Sequence, residues 1–223
     1  MTTVFIARCG TQRTRASQAQ FEASRELTVL GVADSLYRAR AALAGLDADT
    51  VLIDLRLEDG AALSLVLSLR DRQTERPKVM LVVADAADPL LFSTLLAGAD
   101  AYLLEADLPS AASALRRLMN GEAAMAMPIA AKVLQYFNEP VRAAKPVTPD
   151  HDRTLDWHGH EANPMRLSAG ERRLVQCLAQ GVRASEVSTR MAISVEALGR
   201  RIGNVYRKLS WDVRSGSLSL LAA

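Results

Sequence analysis

Cysteine is scarce in this sequence: Cys9 and Cys177 are the only two in 223 residues, and they fall in different halves of the chain. That usage excludes a disulfide framework and the paired cysteine spacing of a thiolate metal site, and it fits a reducing cytosol. No apolar stretch reaches the roughly 20 residues that a bilayer span requires, so no membrane role is expected. The stretch Met1–Arg8 lacks a basic leader ahead of a long apolar run and reads as a first strand instead of a signal peptide, which makes a cytoplasmic location the expectation. Histidine is equally sparse. His151, His158 and His160 all lie in one stretch that also holds prolines; His158-Gly159-His160 brings two imidazoles together, but without cysteine or a packed scaffold it predicts no metal and no cofactor.

Charge is distributed unevenly. The formal net charge is +2, yet residues 1–138 carry 14 basic and 16 acidic side chains and residues 139–165 carry 3 and 5, whereas residues 166–223 carry 10 and 4. A small basic segment behind a near-neutral one points to a polyanionic partner, because neutralising phosphates releases counterions and drives nucleic-acid binding.

From residue 3 to 138, short apolar runs alternate with helical patterns, which is how a parallel sheet covered by helices shows itself. The runs are Val4–Ala7, Leu27–Val32, Val51–Asp54, Val79–Val83 and Ala101–Leu104, with helices expected near 12–24, 35–45, 60–72, 87–97 and 110–120. Five such units predict a flavodoxin-like, doubly wound five-stranded sheet whose site lies at the carboxyl ends of its strands, at Arg8, Asp54, Val83 and Glu105. A further helix, Ile129–Phe137, follows Pro128. Four prolines between Asn138 and Met165 mark a flexible linker. The expected division is therefore a first unit over 1–125, a helix and linker over 126–165 and a helical unit over 166–223.

The last unit reads as four helices. Ser168 with Glu171 three residues on forms a capping box and Gly181 ends the helix; Ala184–Met191 follows, Ser194 caps Val195–Leu209, and Ser215–Ala222 is the last. In the 195–209 helix, Val195, Leu198, Ile202, Val205 and Leu209 form the packing stripe. The opposite stripe, Glu196, Arg200, Gly203 and Arg207, with Arg201, Asn204 and Lys208 beside it, is expected to look outward. Cationic and amide groups on one helix face suit the major groove, where arginine bridges guanine acceptors and asparagine pairs with adenine. Arg200 and Asn204 are the base-reading candidates; Arg201, Arg207, Lys208 and Arg183 are the phosphate contacts. A merely solvated basic helix is the alternative reading of the stripe by itself.

The runs Leu167-Ser168-Ala169-Gly170-Glu171-Arg172, Leu178-Ala179-Gln180-Gly181, Ser185-Glu186-Val187, Met191-Ala192-Ile193-Ser194 and Tyr206-Arg207-Lys208-Leu209 closely resemble the LuxR-type helix-turn-helix. The resemblance departs at Gly199, where that family commonly carries a lysine. Gly199 and Gly203 each lower helix stability by roughly 1 kcal/mol relative to alanine, and they admit a close backbone approach to DNA.

Likewise, Asp54 ending the third strand, Gly60, and the run Gly98-Ala99-Asp100-Ala101-Tyr102-Leu103-Leu104 resemble the receiver domain of NarL/FixJ-type response regulators over residues 3–125. The resemblance implies that Asp54 matches the phosphate-accepting aspartate, that Arg8-Cys9 stand where the acidic pair holding Mg²⁺ belongs, and that Val83 and Glu105 replace the hydroxyl residue and the lysine. Phosphoryl transfer needs a hard cation held by carboxylates, and a guanidinium cannot bind one. Asp54 is therefore expected to go unused as an acceptor, with Arg8 lying between Asp54 and Glu105 as an internal counter-ion. Tyr102 matches the family's aromatic switch residue, but with no hydroxyl partner at Val83 it reads first as a strand aromatic. Cys9, Cys177 and the group Met119, Met125 and Met127 read as packing.

Together these features predict a non-enzymatic, sequence-specific transcription regulator of the atypical response-regulator type. It would bind double-stranded DNA as a homodimer, with the receiver used for dimerisation or for docking a regulatory protein or small ligand. Two alternatives use the same residues: a pseudo-receiver acting chiefly as a ligand- or protein-binding module, and a conventional phospho-regulated response regulator.

Overall fold

The computed structural model describes residues 2–23, 27–70, 76–138 and 166–215, with side chains to Trp211. The expected linker with its three histidines, and the expected last helix beyond Ser215, lie outside the described residues.

The first unit runs β1 (Thr2–Ala7), α1 (Thr11–Glu22), β2 (Leu27–Ala33), α2 (Leu36–Leu43), β3 (Thr50–Asp54), the short hairpin β4 (Arg56–Leu57) and β5 (Gly60–Ala61), α3 (Leu63–Arg70), β6 (Lys78–Val83), α4 (Pro89–Ala97), β7 (Ala101–Leu104), a 3-10 segment (Glu105–Ser110) and α5 (Ala111–Met119). Five strands form one parallel sheet in the order β2-β1-β3-β6-β7. Val4–Ala7, Val51–Ile53 and Val79–Val83 are buried along their whole length, as strands covered on both faces must be. The strand order reverses at β1, so the crevice between β1 and β3 opens at Arg8 and Asp54.

Hairpin and 3-10 segment were not foreseen, because both are shorter than any hydrophobic period can reveal. Asp59, which precedes Gly60 in the hairpin, accepts from the backbone N–H groups of Leu36 (2.7 Å) and Tyr37 (2.9 Å) and so closes the start of α2 together with Ser35. These bonds hold its carboxyl below the ordinary aspartate value.

The helical part comprises α6 (Met127–Asn138), α7 (Ala169–Ala179), α8 (Ala184–Arg190) and α9 (Val195–Ser215). The helix α9 is longer than the expected Val195–Leu209. No helix among the described residues is long and apolar enough to cross a membrane. The segment α6 packs on α7 and meets α4 through an edge-on Phe92–Tyr136 pair, ring centres 6.2 Å apart. One contiguous apolar core therefore passes from the sheet through α6 into the helix-turn-helix.

The capping box forms as its spacing predicts: Ser168 Oγ accepts from Glu171 N–H at 3.2 Å, and Glu171 Oε2 accepts from Ser168 N–H at 2.7 Å. That same Oε2 lies 2.6 Å from Lys208 Nζ, which also donates to the Arg166 carbonyl. Burial pushes the Glu171 carboxyl up, but the Lys208 ammonium and the Ser168 N–H outweigh it, and the group titrates below its ordinary 4.5. Since the folded value is the lower one, this stabilisation is complete above the unfolded value and is lost as pH falls through the folded value. Glu171→Gln is expected to lower the unfolding free energy by about 1–3 kcal/mol at neutral pH. Urea titrations at descending pH should show the gap between the two proteins narrowing below about 4.5; a gap independent of pH would mean that Glu171 acts through shape alone.

Candidate functional site

Two sites emerge, one at the carboxyl end of the sheet and one along α9. At the first, Arg8 leaves the end of β1 and its guanidinium is 1% exposed. Nε donates to Asp54 Oδ1 at 2.9 Å, one terminal nitrogen donates to Ser17 Oγ at 3.1 Å, and the other donates to both Glu105 carboxylate oxygens at 2.7 Å. Asp54 Oδ2 accepts from the Cys9 N–H at 2.8 Å. Both oxygens of Asp54 are thus engaged by the two residues that follow β1. Burial pushes the Asp54 carboxyl above its ordinary value, against the pull of the Cys9 N–H and of Arg8.

This pocket does not fit the Mg²⁺ that the receiver resemblance implies. The position facing Asp54 is filled by a fixed cation, Cys9 contributes its backbone N–H, and among the described residues no group of three metal-ligating side chains exists. The arrangement neutralises two carboxylates internally, with Arg13 a further cation 4.0 Å from Glu105. Val83 is buried at the end of β6, with no hydroxyl to offer.

Tyr102 does more than pack. It is 7% exposed, and its hydroxyl oxygen accepts from the Ala126 N–H at 2.7 Å. Ala126 belongs to the connection between α5 and α6, and the same connection is held from the other side by α9: Tyr206 Oη donates to the Ala124 carbonyl at 2.8 Å, and the Ala123 N–H donates to the Gly199 carbonyl at 3.0 Å. Burial raises the phenol pKa of both tyrosines, well above the ordinary value for Tyr206, so both remain neutral hydroxyls.

The two helical glycines explain how α9 comes so close. A Cβ at Gly199 would lie 3.1 Å from Glu122 Cβ, and one at Gly203 would collide with the Gly121 carbonyl oxygen. Gly121 itself adopts φ 77°, a conformation favouring glycine, which turns that carbonyl toward the helix. In this arrangement the close backbone approach expected for DNA is made to the α5–α6 connection instead.

Arrangement along α9 follows from this docking. Leu198, Ile202, Val205 and Leu209 are buried in the packing stripe as expected, whereas Val195 is 44% exposed and does not belong to it. The stripe expected to face outward is only partly free. Glu196, Arg200 and Arg207 are exposed, Arg201 and Asn204 are half-buried, and Gly203 sits against the receiver-like unit. Arg207 donates to Asn204 Oδ1. Arg183 is exposed at the start of α8. Lys208, expected to hold phosphate, has its ammonium engaged by Glu171 and the Arg166 carbonyl; a lysine that close to a buried carboxylate serves the helix-turn-helix itself. Sequence reasoning missed Tyr206 and the segment 120–126, although two glycines four residues apart on one helix were a visible sign of a close neighbour.

No protein-family model and no curated protein matches the sequence. Among solved structures, the chain is similar to the two-component response regulator RcsB in complex with DNA, at 15% identity over 97% of this chain and 99% of that one, with a TM-score of 0.51. A structure of two RcsB dimers bound to two parallel DNAs gives the same figures. The isolated receiver domain of RcsB from Salmonella enterica serovar Typhimurium gives 18% identity over 60% of this chain and 99% of that one, with a TM-score of 0.51. At these identities the likeness establishes the fold, a receiver-type α/β unit followed by a helix-turn-helix unit, and function must be argued from the sites.

Removing the central cation should be costly. Arg8→Met leaves Asp54 and Glu105 as buried or half-buried carboxylates without their shared partner, and is expected to cost about 3–5 kcal/mol in a urea titration. The triple change Arg8→Met, Asp54→Leu, Glu105→Gln should recover most of that loss. A fully stable Arg8→Met would show that the pocket does not depend on internal neutralisation.

Proposed function

We propose that this protein is a sequence-specific, DNA-binding transcription regulator of the response-regulator type, in which docking of the receiver-like unit on α9, and not phosphotransfer at Asp54, sets activity. The observation that carries the reading is a row of arginines, Arg200, Arg201 and Arg207, on the second helix of a helix-turn-helix, with no carboxylate within salt-bridge distance among the described residues. Elsewhere in the protein arginines such as Arg8, Arg76 and Arg117 are neutralised by carboxylates. Cations without an ion-pair partner on one helix, with the exposed Glu196 near Arg200 as their one acidic neighbour, suit a polyanion.

In this reading Arg200 and Asn204 contact base edges, Arg201, Arg207 and Arg183 hold phosphates, and Glu196 lies at the start of the same face. Gly199 and Gly203 are occupied by residues 121–123, so α9 must leave that seat before it can enter a groove. The closed arrangement thus holds the protein off DNA by the free energy of this contact, and apparent affinity scales with the fraction that is open. Phosphorylation is not the release signal, since Arg8 and the Cys9 N–H occupy both Asp54 oxygens. Two copies would read a spaced inverted repeat, as one such unit makes few base contacts.

Arg200→Ala should lower affinity for the preferred site by about 1–3 kcal/mol and relax base choice there, with little change on random duplex. Fluorescence anisotropy on a selected site and on scrambled duplex checks this, and equal losses on both would assign Arg200 to phosphate. Gly203→Ala places a methyl where Gly121 sits and should raise the affinity of the full chain for DNA, while acetyl phosphate leaves the wild-type affinity unchanged. A Gly203→Ala protein that binds no more tightly would remove the docking from the mechanism.

A further inference from the structure

The docking of α9 on the α5–α6 connection leaves a cleft of about 360 Å³ between them. One wall is Asn120 and Gly121; the other is Arg200, Arg201, Asn204 and Arg207. A second recess of about 280 Å³ adjoins it, sharing Asn120, Gly121 and Arg207 and adding Lys78. Its two carboxylates are already neutralised, Asp100 by Arg76 at 2.9 Å and Glu122 by Arg117 at 3.0 Å. Arg200, Arg201, Arg207 and Lys78 therefore surround two adjoining cavities without an ion pair among the described residues, and the exposed Glu196, which interacts with Arg200 from outside the cleft lining, is a single carboxylate against four cations.

Like charges converging on a concave, partly desolvated surface raise the local positive potential and cost free energy unless an anion enters. A cleft of this size matches a small molecule and is too narrow for a duplex. Arginine forks select planar or tetrahedral oxyanions, and amide groups on both walls, from Asn120 and Asn204, add neutral donors beside them. Sharing of Arg207 between the cavities favours a ligand with more than one anionic group.

We propose that the cleft between Asn120–Gly121 and α9 binds a small phosphorylated molecule carrying at least two phosphate groups, and that this ligand, by bridging the two walls, holds the closed arrangement. Such a ligand binds the closed form alone, because the Asn120–Gly121 wall leaves when α9 is released; it must therefore stabilise that form by its whole differential affinity. Its effect on DNA rests on the function proposed above: the ligand and DNA phosphates use the same arginines, so each excludes the other, and the coupling is reciprocal.

Calorimetric titration of the full chain with inorganic pyrophosphate at low salt tests the site, with circular dichroism verifying that each variant is folded. The wild type should bind, and Arg207→Ala and Asn120→Glu should each weaken binding by at least tenfold. Absence of binding by the wild type up to millimolar pyrophosphate overturns the proposal. So does unchanged binding by Asn120→Glu, which would place the anion on α9 alone. In a second arm, pyrophosphate should release a labelled duplex from the wild type, and from Gly203→Ala only at concentrations at least tenfold higher. Equal release from both proteins would show competition without bridging and would overturn the bridging role. A wild type and Gly203→Ala that both bind pyrophosphate but no duplex would refute the DNA-binding function and leave the anion site standing.

Discussion

The approach of α9 to the backbone of Gly121–Ala123 is the constraint on which the remaining features depend. Helix and connection meet closely because Gly199 and Gly203 present only backbone, Gly199 to the Glu122 side chain and Gly203 to the carbonyl that Gly121 turns toward it. Any larger residue at position 203 would separate the two surfaces and with them the hydrogen bonds from Ala123 to Gly199 and from Tyr206 to Ala124. The basic cleft exists only while that contact holds. A helix carrying two glycines gives up intrinsic stability, and here the loss is offset by packing on two sides.

A second buried arrangement lies one strand-length away. Arg8 draws Asp54 and Glu105 together at the carboxyl end of the sheet, and Glu105 follows directly after β7. Tyr102, on that same strand, bonds the connection that α9 grips from its other side. The chain of contacts from Arg8 through β7 to α9 is continuous, made of packed backbone and satisfied polar groups, and no buried side-chain nitrogen or oxygen among the described residues lacks a partner. With Arg8 between Asp54 and Glu105, the carboxylates at the sheet end are neutralised within the protein.

The strands, the capping box at Ser168, the stop at Gly181 and the concentration of basic charge after residue 166 could all be read from the residues alone, because each depends on neighbours within a turn or a pleat. The meeting of Arg8, Asp54 and Glu105 was also foreseeable, since parallel strands of one sheet end on the same side and a guanidinium among carboxylates has few other places to go. Local information stops there. Two glycines in a helix declare that something comes close, but DNA and the protein's own backbone satisfy them equally; Lys208 looks like any phosphate-binding lysine until Glu171 is placed beside it; Tyr206 is one aromatic among helix residues until Ala124 receives its hydroxyl. Sequence determined which elements form and what charges they carry, and tertiary structure alone decided which surface α9 rests against, because contacts between residues some 80 positions apart are set by shape and packing that no local pattern encodes.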